Sequence, residues 1–276
     1  MNMTTACCAA RFRGQTDRIG HFYGAEKPRL HLPLNFALLD CEWNALSLQA
    51  AIDGYFNALP EGAWPVWVIG GGNDKQRIAG KIGQAQARVL AMLLMTIRGT
   101  PFFYMGDEIG RVRAAIPAGR VQDAFEKLVP GFGLGRDPER VPMRWDDSPN
   151  GAFTTGEPRL PICDDPACNV ERQQQDERSM LRLYRRLIAL RRQERCLVEG
   201  DYRPRRARND VFSYERRLAE RRLLIGLNLS GEPRRWEFGG RGKRLISTHG
   251  SRDPDQVTAA VLLRPNEGIA IAAEST

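Results

Sequence analysis

The feature that most constrains this chain is a series of short, wholly apolar segments separated by stretches with helical spacing, between residues 31 and 105. His31-Leu-Pro-Leu-Asn-Phe-Ala-Leu-Leu39 reads as a buried strand. Trp43 to Leu59 follows as a helix, with Leu46, Ala50, Ile52 and Phe56 at helical intervals. Val66-Trp-Val-Ile69 is a second strand, stopped by Gly70-Gly-Gly72. Ile82 to Arg98 is a second helix, with Ala85, Val89, Met92, Leu93 and Ile97 on one side, and Gly99 closes it. Thr100-Pro-Phe-Phe-Tyr-Met105 is a third strand and runs into Gly106-Asp-Glu-Ile-Gly110. Strands alternating with helices at this spacing predict a parallel sheet. Strands that are apolar at every position are those covered on both faces. An open α/β sheet and part of a closed barrel both satisfy the pattern.

The rest of the chain has a different character. Residues 111–176 are rich in Pro, Gly and Asp and are expected to be a long irregular region, a length of loop that compact domains keep mainly for function. Asp176 to Arg195 predicts an amphipathic helix with Met180, Leu183, Leu187 and Leu190 inward. After Gly200 come Val211–Tyr214, Arg222–Leu229, Arg235–Phe238, Arg244–Ile246 and Ile269–Ile271, short strands parted by turn residues, which predict a small antiparallel β domain. The expected organisation is an unassigned segment at 1–18, a parallel α/β portion at 19–198 and the β domain at 199–276.

Composition narrows the function classes. No apolar run approaches the ~20 residues that a membrane helix needs; the longest, Val89 to Ile97, is far too short. Met1 to Arg13 lacks the apolar core of a secretory signal, so a cytoplasmic location is expected, with no membrane partner. The cysteines, Cys7, Cys8, Cys41, Cys163, Cys168 and Cys196, have no CxxC spacing beside histidines, and His21, His31 and His249 are not spaced to share a metal. No metal or cofactor is expected, and reduced thiols are the default. The net charge of +8 invites a nucleic-acid reading, but the arginines are scattered, apart from a helix face at Arg182 to Arg195 and a cluster at Arg203 to Arg208, with no aromatic-interleaved basic motif. Nucleic acid is therefore not an expected partner.

Sites in parallel α/β arrays form where strands end at their C-termini. That rule selects Asn35 to Asp40, Gly70 to Arg77 and Gly106 to Gly110. The middle segment sets Asn73 and Asp74 directly beyond a buried strand, with Arg77 three residues on. A carboxylate there acts as base, acid or charge stabiliser, or it N-caps the next helix; spacing alone favours neither. Asp107 and Glu108 are adjacent, and adjacent residues on an extended segment face opposite ways, so a structural role is expected for them.

Taken in order, these segments resemble the α-amylase superfamily and, within it, the bacterial α-glucosidases of the oligo-1,6-glucosidase type. His31-Leu-Pro-Leu-Asn-Phe36 is similar to the family's sixth barrel strand. Trp67-Val-Ile-Gly70 with Asn73, Asp74 and Arg77 is similar to its seventh. Gln84–Arg88, Met92-Leu-Leu, Arg98-Gly-Thr-Pro101 and Tyr104–Gly110 resemble the following helix and the eighth strand. Gly135–Arg140 with Val141-Pro-Met-Arg-Trp145 is similar to the long loop beyond it. Leu183–Arg192 and Gly200-Asp-Tyr202 resemble the last barrel helix and the start of the C-terminal β domain.

The resemblance implies a partial (β/α)8 TIM barrel, about strands six to eight, followed by an antiparallel β domain. It implies carbohydrate metabolism and retaining hydrolysis of terminal α-glucosidic bonds, which uses a nucleophile and a general acid about 5 Å apart. It also implies Asp74 as the third carboxylate, which stabilises the transition state, with Asn73 and Arg77 binding substrate. Trp64 is a further candidate that would stack on a sugar ring, its alternative being an ordinary packing tryptophan. No segment matches the strands that carry nucleophile and acid, and the motif reads Gly72-Asn73-Asp74 where the family has Asn-His-Asp. The chain is therefore expected to be a truncated α-glucosidase-like protein, inactive alone. An α-glucoside or oligosaccharide would be its ligand, and a chain that supplies the missing barrel half its protein partner. The alternative is a non-catalytic sugar-binding or partner subunit of a split glycosidase.

Overall fold

The computed structural model describes residues 9–12, 19–24, 30–70, 77–163, 165, 168–250 and 255–274. Its elements, in chain order, are β1 (Ala9–Phe12), α1 (Ile19–Tyr23), β2 (Leu32–Asn35), α2 (Ala37–Asp40), α3 (Ala45–Ala58), β3 (Val66–Val68), α4 (Ile78–Ile82), α5 (Gln84–Thr96) and β4 (Thr100–Phe102). After two 3-10 turns come α6 (Ala124–Leu128), α7 (Asp137–Arg140), α8 (Val170–Gln175), α9 (Met180–Gln193) and α10 (Arg195–Glu199). The chain ends in β5 (Asp201–Arg208), β6 (Val211–Leu218), β7 (Arg221–Asn228), β8 (Arg234–Ser247), β9 (Gln256–Leu263) and β10 (Gly268–Ala273). The chain divides into two compact units, one of 1–69 with 89–102 and 189–276, the other of 70–88 with 103–188.

The first unit holds both sheets. Its parallel sheet runs β1-β2-β3-β4. Every residue of β3 is buried, as an apolar strand covered on both faces must be. Phe36, Leu39, Val66 and Val68 form one core cluster around it. The helix expected at Trp43 to Leu59 forms at Ala45–Ala58, because the Asn44 side chain accepts the Ser47 N–H at 2.8 Å and caps it. Ala45, Leu48, Ile52 and Tyr55 are its buried face. In α5, Val89 to Met95 are buried without a break, so the single inward stripe read from the sequence is too narrow. Gly99 follows with φ of 131°, a conformation that glycine adopts freely.

Four departures from expectation have local causes. The segment 1–18 contains a fourth parallel strand, β1, paired Ala9 to Leu32 through Phe12 to Asn35. It is only four residues long and its partner is distant in sequence, so pattern alone could not reveal it. The first apolar run is not one strand: it breaks at Asn35, whose Oδ1 accepts the Ala37 N–H at 2.9 Å and starts α2. The antiparallel sheet has six strands in the order β5-β6-β7-β10-β8-β9, and the unanticipated β5 and β9 are its two edges, where at least half of the side chains are exposed. The two short strands expected at Arg235–Phe238 and Arg244–Ile246 are one strand, β8, carried through Gly239 and Gly240 at positive φ by a register shift against β9.

The antiparallel sheet is fastened to α3 and α5 within this unit. Gln49 accepts the Ala207 N–H at 2.8 Å, the Tyr202 hydroxyl reaches Asp53 at 2.9 Å, and Tyr202 stacks on Phe56 at 4.5 Å. Thr96 and Tyr214 share a hydroxyl hydrogen bond of 2.6 Å. The buried Arg216 donates to the carbonyls of Thr96, Leu197 and Gly200.

The second unit is formed mainly by the long region after β4. That region is less irregular than its composition suggests, since α6, α7 and α8 lie in it. It also has an apolar core of its own, with Ile109, Val141, Met143, Cys163, Cys168, Val170 and Leu181 buried together.

Candidate active-site segments beyond the third and fourth strands

The segment after β3 carries the predicted site. Asn73 and Asp74 fall at 71–76, outside the described residues. Arg77 precedes α4 in extended backbone, and its side chain is buried with 3% exposure. Nη1 donates to the Met105 carbonyl at 2.8 Å and to Asp107 Oδ1 at 3.3 Å, and Nη2 donates to the Glu139 carbonyl at 2.6 Å. The guanidinium also lies over the Tyr104 ring, 4.3 Å from its centre. A planar fork of five donors suits this task, because one side chain can hold several acceptors in fixed directions. Arg77 thus ties the start of α4 to the turn after β4 and to α7.

Asp107 is the other half of that tie. Its Oδ2 accepts the Tyr104 N–H at 2.9 Å. A Cβ at Gly70 would lie 3.3 Å from the same oxygen, so the carboxylate sits directly against the backbone that leaves β3. Burial pushes the Asp107 carboxyl above its ordinary range, with the Arg77 charge and the Tyr104 N–H opposing it. Glu108 accepts the Gly106 N–H at 2.7 Å. Asp107 and Glu108 are therefore both engaged by the turn, but they lie in a 3-10 turn, Asp107–Ile109, and not on the extended segment that the sequence suggests.

Glu139 and Arg111 belong to the same region and carry no sequence signal of their own. Glu139 has no exposed surface, and neither carboxylate oxygen has a hydrogen-bond partner among the described residues; Arg113 Nε lies 3.3 Å away as its ion-pair partner. Burial raises its carboxyl, and Arg113 counters only part of that. Arg111, 1% exposed, donates to the Val141 carbonyl at 2.7 Å while its Nε is unpartnered.

Trp64, the candidate for stacking on a sugar ring, is engaged by protein groups. Trp64 stands before the first residue of β3, at the opposite end of a parallel strand from the one where sites form. Its Nε1 donates to Thr100 Oγ1 at 3.0 Å, its carbonyl accepts the Tyr23 hydroxyl at 2.7 Å, and the Arg98 guanidinium lies over its ring at 4.9 Å. Those contacts occupy the indole with packing. Among the described residues no three metal-ligating side chains cluster, and no helix is long and apolar enough to cross a membrane.

A parallel sheet alternating with helices, followed by an antiparallel sheet, defines an α/β chain with a β portion after it. The model of the alpha-amylase catalytic domain matches residues 28–200, and the chain belongs to that family. It is 29% identical over 257 residues to the glucan 1,6-alpha-glucosidase of Streptococcus pneumoniae, covering 84% of this chain and 46% of that one. It is 28% identical over 239 residues to an amino acid transporter heavy chain of Homo sapiens, covering 81% of this chain and 33% of that one. Among solved structures, the trehalulose synthase of Pseudomonas mesoacidophila MX-45 superposes with a TM-score of 0.85 at 25% identity, over 98% of this chain and 56% of that one. The chain spans less than half the length of these two curated relatives.

Proposed function

We propose that this chain is the part of an α-glucosidase barrel from about strands six to eight, with the β domain that follows, and that it contributes to the binding and cleavage of terminal α-glucosidic bonds in the cytoplasm. The observation that carries the reading is the alpha-amylase family match across 28–200, which spans the turn after β3. Asp74 is the carboxylate that steadies the positive charge of the sugar ring in the transition state, and Asn73 contacts the bound sugar. Arg77, being buried, acts on that turn as a positioning residue and does not touch the substrate.

The nucleophile and general acid have no counterpart in these 276 residues. Removing one member of a catalytic unit already costs several orders of magnitude in rate. The chain alone is therefore inactive, and hydrolysis requires a polypeptide that supplies the other barrel strands. The test is hydrolysis of a chromogenic α-glucoside by the purified chain beside Asp74→Asn. No turnover in either supports the reading. Turnover that disappears in Asp74→Asn overturns inactivity and means that this chain or copies of it assemble a full site.

A second reading, a non-catalytic partner subunit, is favoured by the likeness to a protein named as a transporter heavy chain. A sugar-dependent rise in melting temperature that Asp74→Asn abolishes would favour sugar binding over it, since a ligand stabilises the state that binds it.

A further inference from the structure

The arginine cluster at Arg203 to Arg208 has no task in the glycosidase reading. Three of its members, Arg205, Arg206 and Arg208, line a cleft of about 420 Å³ in the antiparallel sheet, with Ser213 of β6 and Arg235 and Glu237 of β8. Side chains on a regular strand alternate, which would send Arg205 and Arg206 to opposite faces. The register of β5 against β6 shifts between Arg205, opposite Ser213, and Arg208, opposite Val211. Such a bulge breaks the alternation and re-aims side chains, so that all three arginines reach one cleft. The bulge is held by α3: Gln49 accepts the Ala207 N–H at 2.8 Å and donates to the Arg205 carbonyl at 3.4 Å. Just beyond it, Asn209 and Asp210 close the hairpin as a two-residue turn with both φ positive, at 50° and 59°.

The acids nearby leave the cleft positive. Asp210 is taken by Arg234 at 3.0 Å, and Glu215 by Arg222 at 3.1 Å. Glu237 lies 3.4 Å from Arg235, both largely exposed, which makes a weak pair. The lining thus holds four arginines against one glutamate. Arg205 donates to the Phe238 carbonyl at 2.9 Å and so joins the edge strand β5 to β8. The Arg206 and Arg208 side chains are exposed and have no hydrogen-bond or ion-pair partner among the described residues. Ser213 is only 5% exposed, yet it lines the cleft, and its hydroxyl has no partner among the described residues either.

We infer that this cleft binds a small molecule carrying two or more phosphate groups. Guanidinium forks match phosphate oxygens in pairs, and charge-assisted hydrogen bonds of this kind are the strong ones. The excess of cations in the lining calls for more than one negative charge. Arg206 and Arg208 are the free forks, and the Ser213 hydroxyl is a further donor at the floor. The volume is that of a small-molecule site. A nucleic-acid backbone would instead need a stripe of cations along a face or a helix. The site belongs to the β domain and does not depend on the sugar chemistry.

The test is calorimetric titration of the whole chain with inorganic pyrophosphate. The expected result is saturable binding at a single site per chain, with orthophosphate, which carries less charge, binding more weakly. Arg206→Gln/Arg208→Gln should weaken pyrophosphate binding by about tenfold or more, because it removes the free forks. Arg203→Gln/Arg241→Gln removes the same charge from exposed positions outside the lining and should leave the affinity within about twofold, since screening limits exposed charges at a distance. All four arginines are exposed, and circular dichroism checks that each variant keeps its fold. Absence of saturable pyrophosphate binding to the wild type overturns the inference. An equal loss in the two double variants overturns it too, because it would mark a diffuse charge effect. So does a random-sequence single-stranded oligonucleotide that binds more tightly and displaces pyrophosphate, which would make the cleft part of a nucleic-acid surface.

Discussion

The Arg77 guanidinium and the Asp107 carboxylate lie 3.3 Å apart with side-chain exposures of 3% and 1%, and together they join the backbone leaving β3 to the turn after β4. A buried pair is not a strong source of stability when compared with two apolar residues, but breaking it leaves an uncompensated charge out of water. Arg77→Met is accordingly expected to lower unfolding free energy by about 3–5 kcal/mol. Asp107→Asn, which keeps the shape and removes the charge, should cost less. Urea melts of the two variants check this. Equal and small losses would mean that Arg77 is held by Met105 and Glu139 alone.

A second prediction concerns Gly99. Its φ of 131° is a region that side chains rarely enter, and a Cβ there would come within 2.7 Å of the Pro65 carbonyl and 2.8 Å of Trp67 Nε1. The same Pro65 carbonyl accepts the Thr100 N–H that starts β4, and Trp67 Nε1 donates to the Arg98 carbonyl. Gly99→Ala therefore forces the backbone between α5 and β4 to move and is expected to destabilise by roughly 3 kcal/mol. Thermal unfolding measures it. An unchanged midpoint would show that this connection yields without strain.

Much of the parallel portion was legible because burial on both faces leaves little choice of residue: β3 is apolar throughout, and α5 is apolar from Val89 to Met95. The strands that escaped notice are those whose identity rests on a neighbour. β5 and β9 are edges rich in exposed residues, and β1 is defined by its pairing with β2. The site divides in the same way. Motif order selects the segment of Asn73, Asp74 and Arg77, because glycines and a carboxylate beyond a buried strand are a local pattern; of these, Arg77 is among the described residues. That Arg77 is a buried clamp on Asp107 and Glu139 follows from contacts across 30 and 62 residues of chain, which no window of sequence contains. Trp64 is ambiguous in the sequence, because a tryptophan near a strand can be read only when it is known which end of the strand it occupies.

Glu139 predicts a pH effect. In the native chain burial holds its carboxyl above the ordinary value of 4.5, whereas in the unfolded chain it ionises near that value. The native state therefore binds more protons as pH rises from 4.5 toward the raised native value. The contribution of this group to stability is complete below that window and is lost through it. Glu139→Gln removes the titration, so the variant should show a flatter fall of melting temperature with rising pH than the wild type. Parallel curves for the two proteins would mean that Arg113 compensates the buried charge fully.

Trp64 separates a packing role from a ligand role. Its indole N–H is bonded to Thr100, and its ring faces the Arg98 guanidinium. Trp64→Phe keeps an aromatic body for the cation and loses one hydrogen bond, which typically costs about 1 kcal/mol. Trp64→Ala removes the body as well, and truncating a large aromatic side chain costs about 3–5 kcal/mol when it is fully packed. The half-buried Trp64 should fall at or below the lower end of that range. Both losses should appear in melting experiments without sugar, and any shift that α-glucosides induce in the wild type should persist in Trp64→Phe. If the sugar-induced shift instead disappears in Trp64→Phe while stability is unchanged, the indole belongs to a binding surface, and the assignment of Trp64 to the packing at the N-terminal end of β3 is wrong.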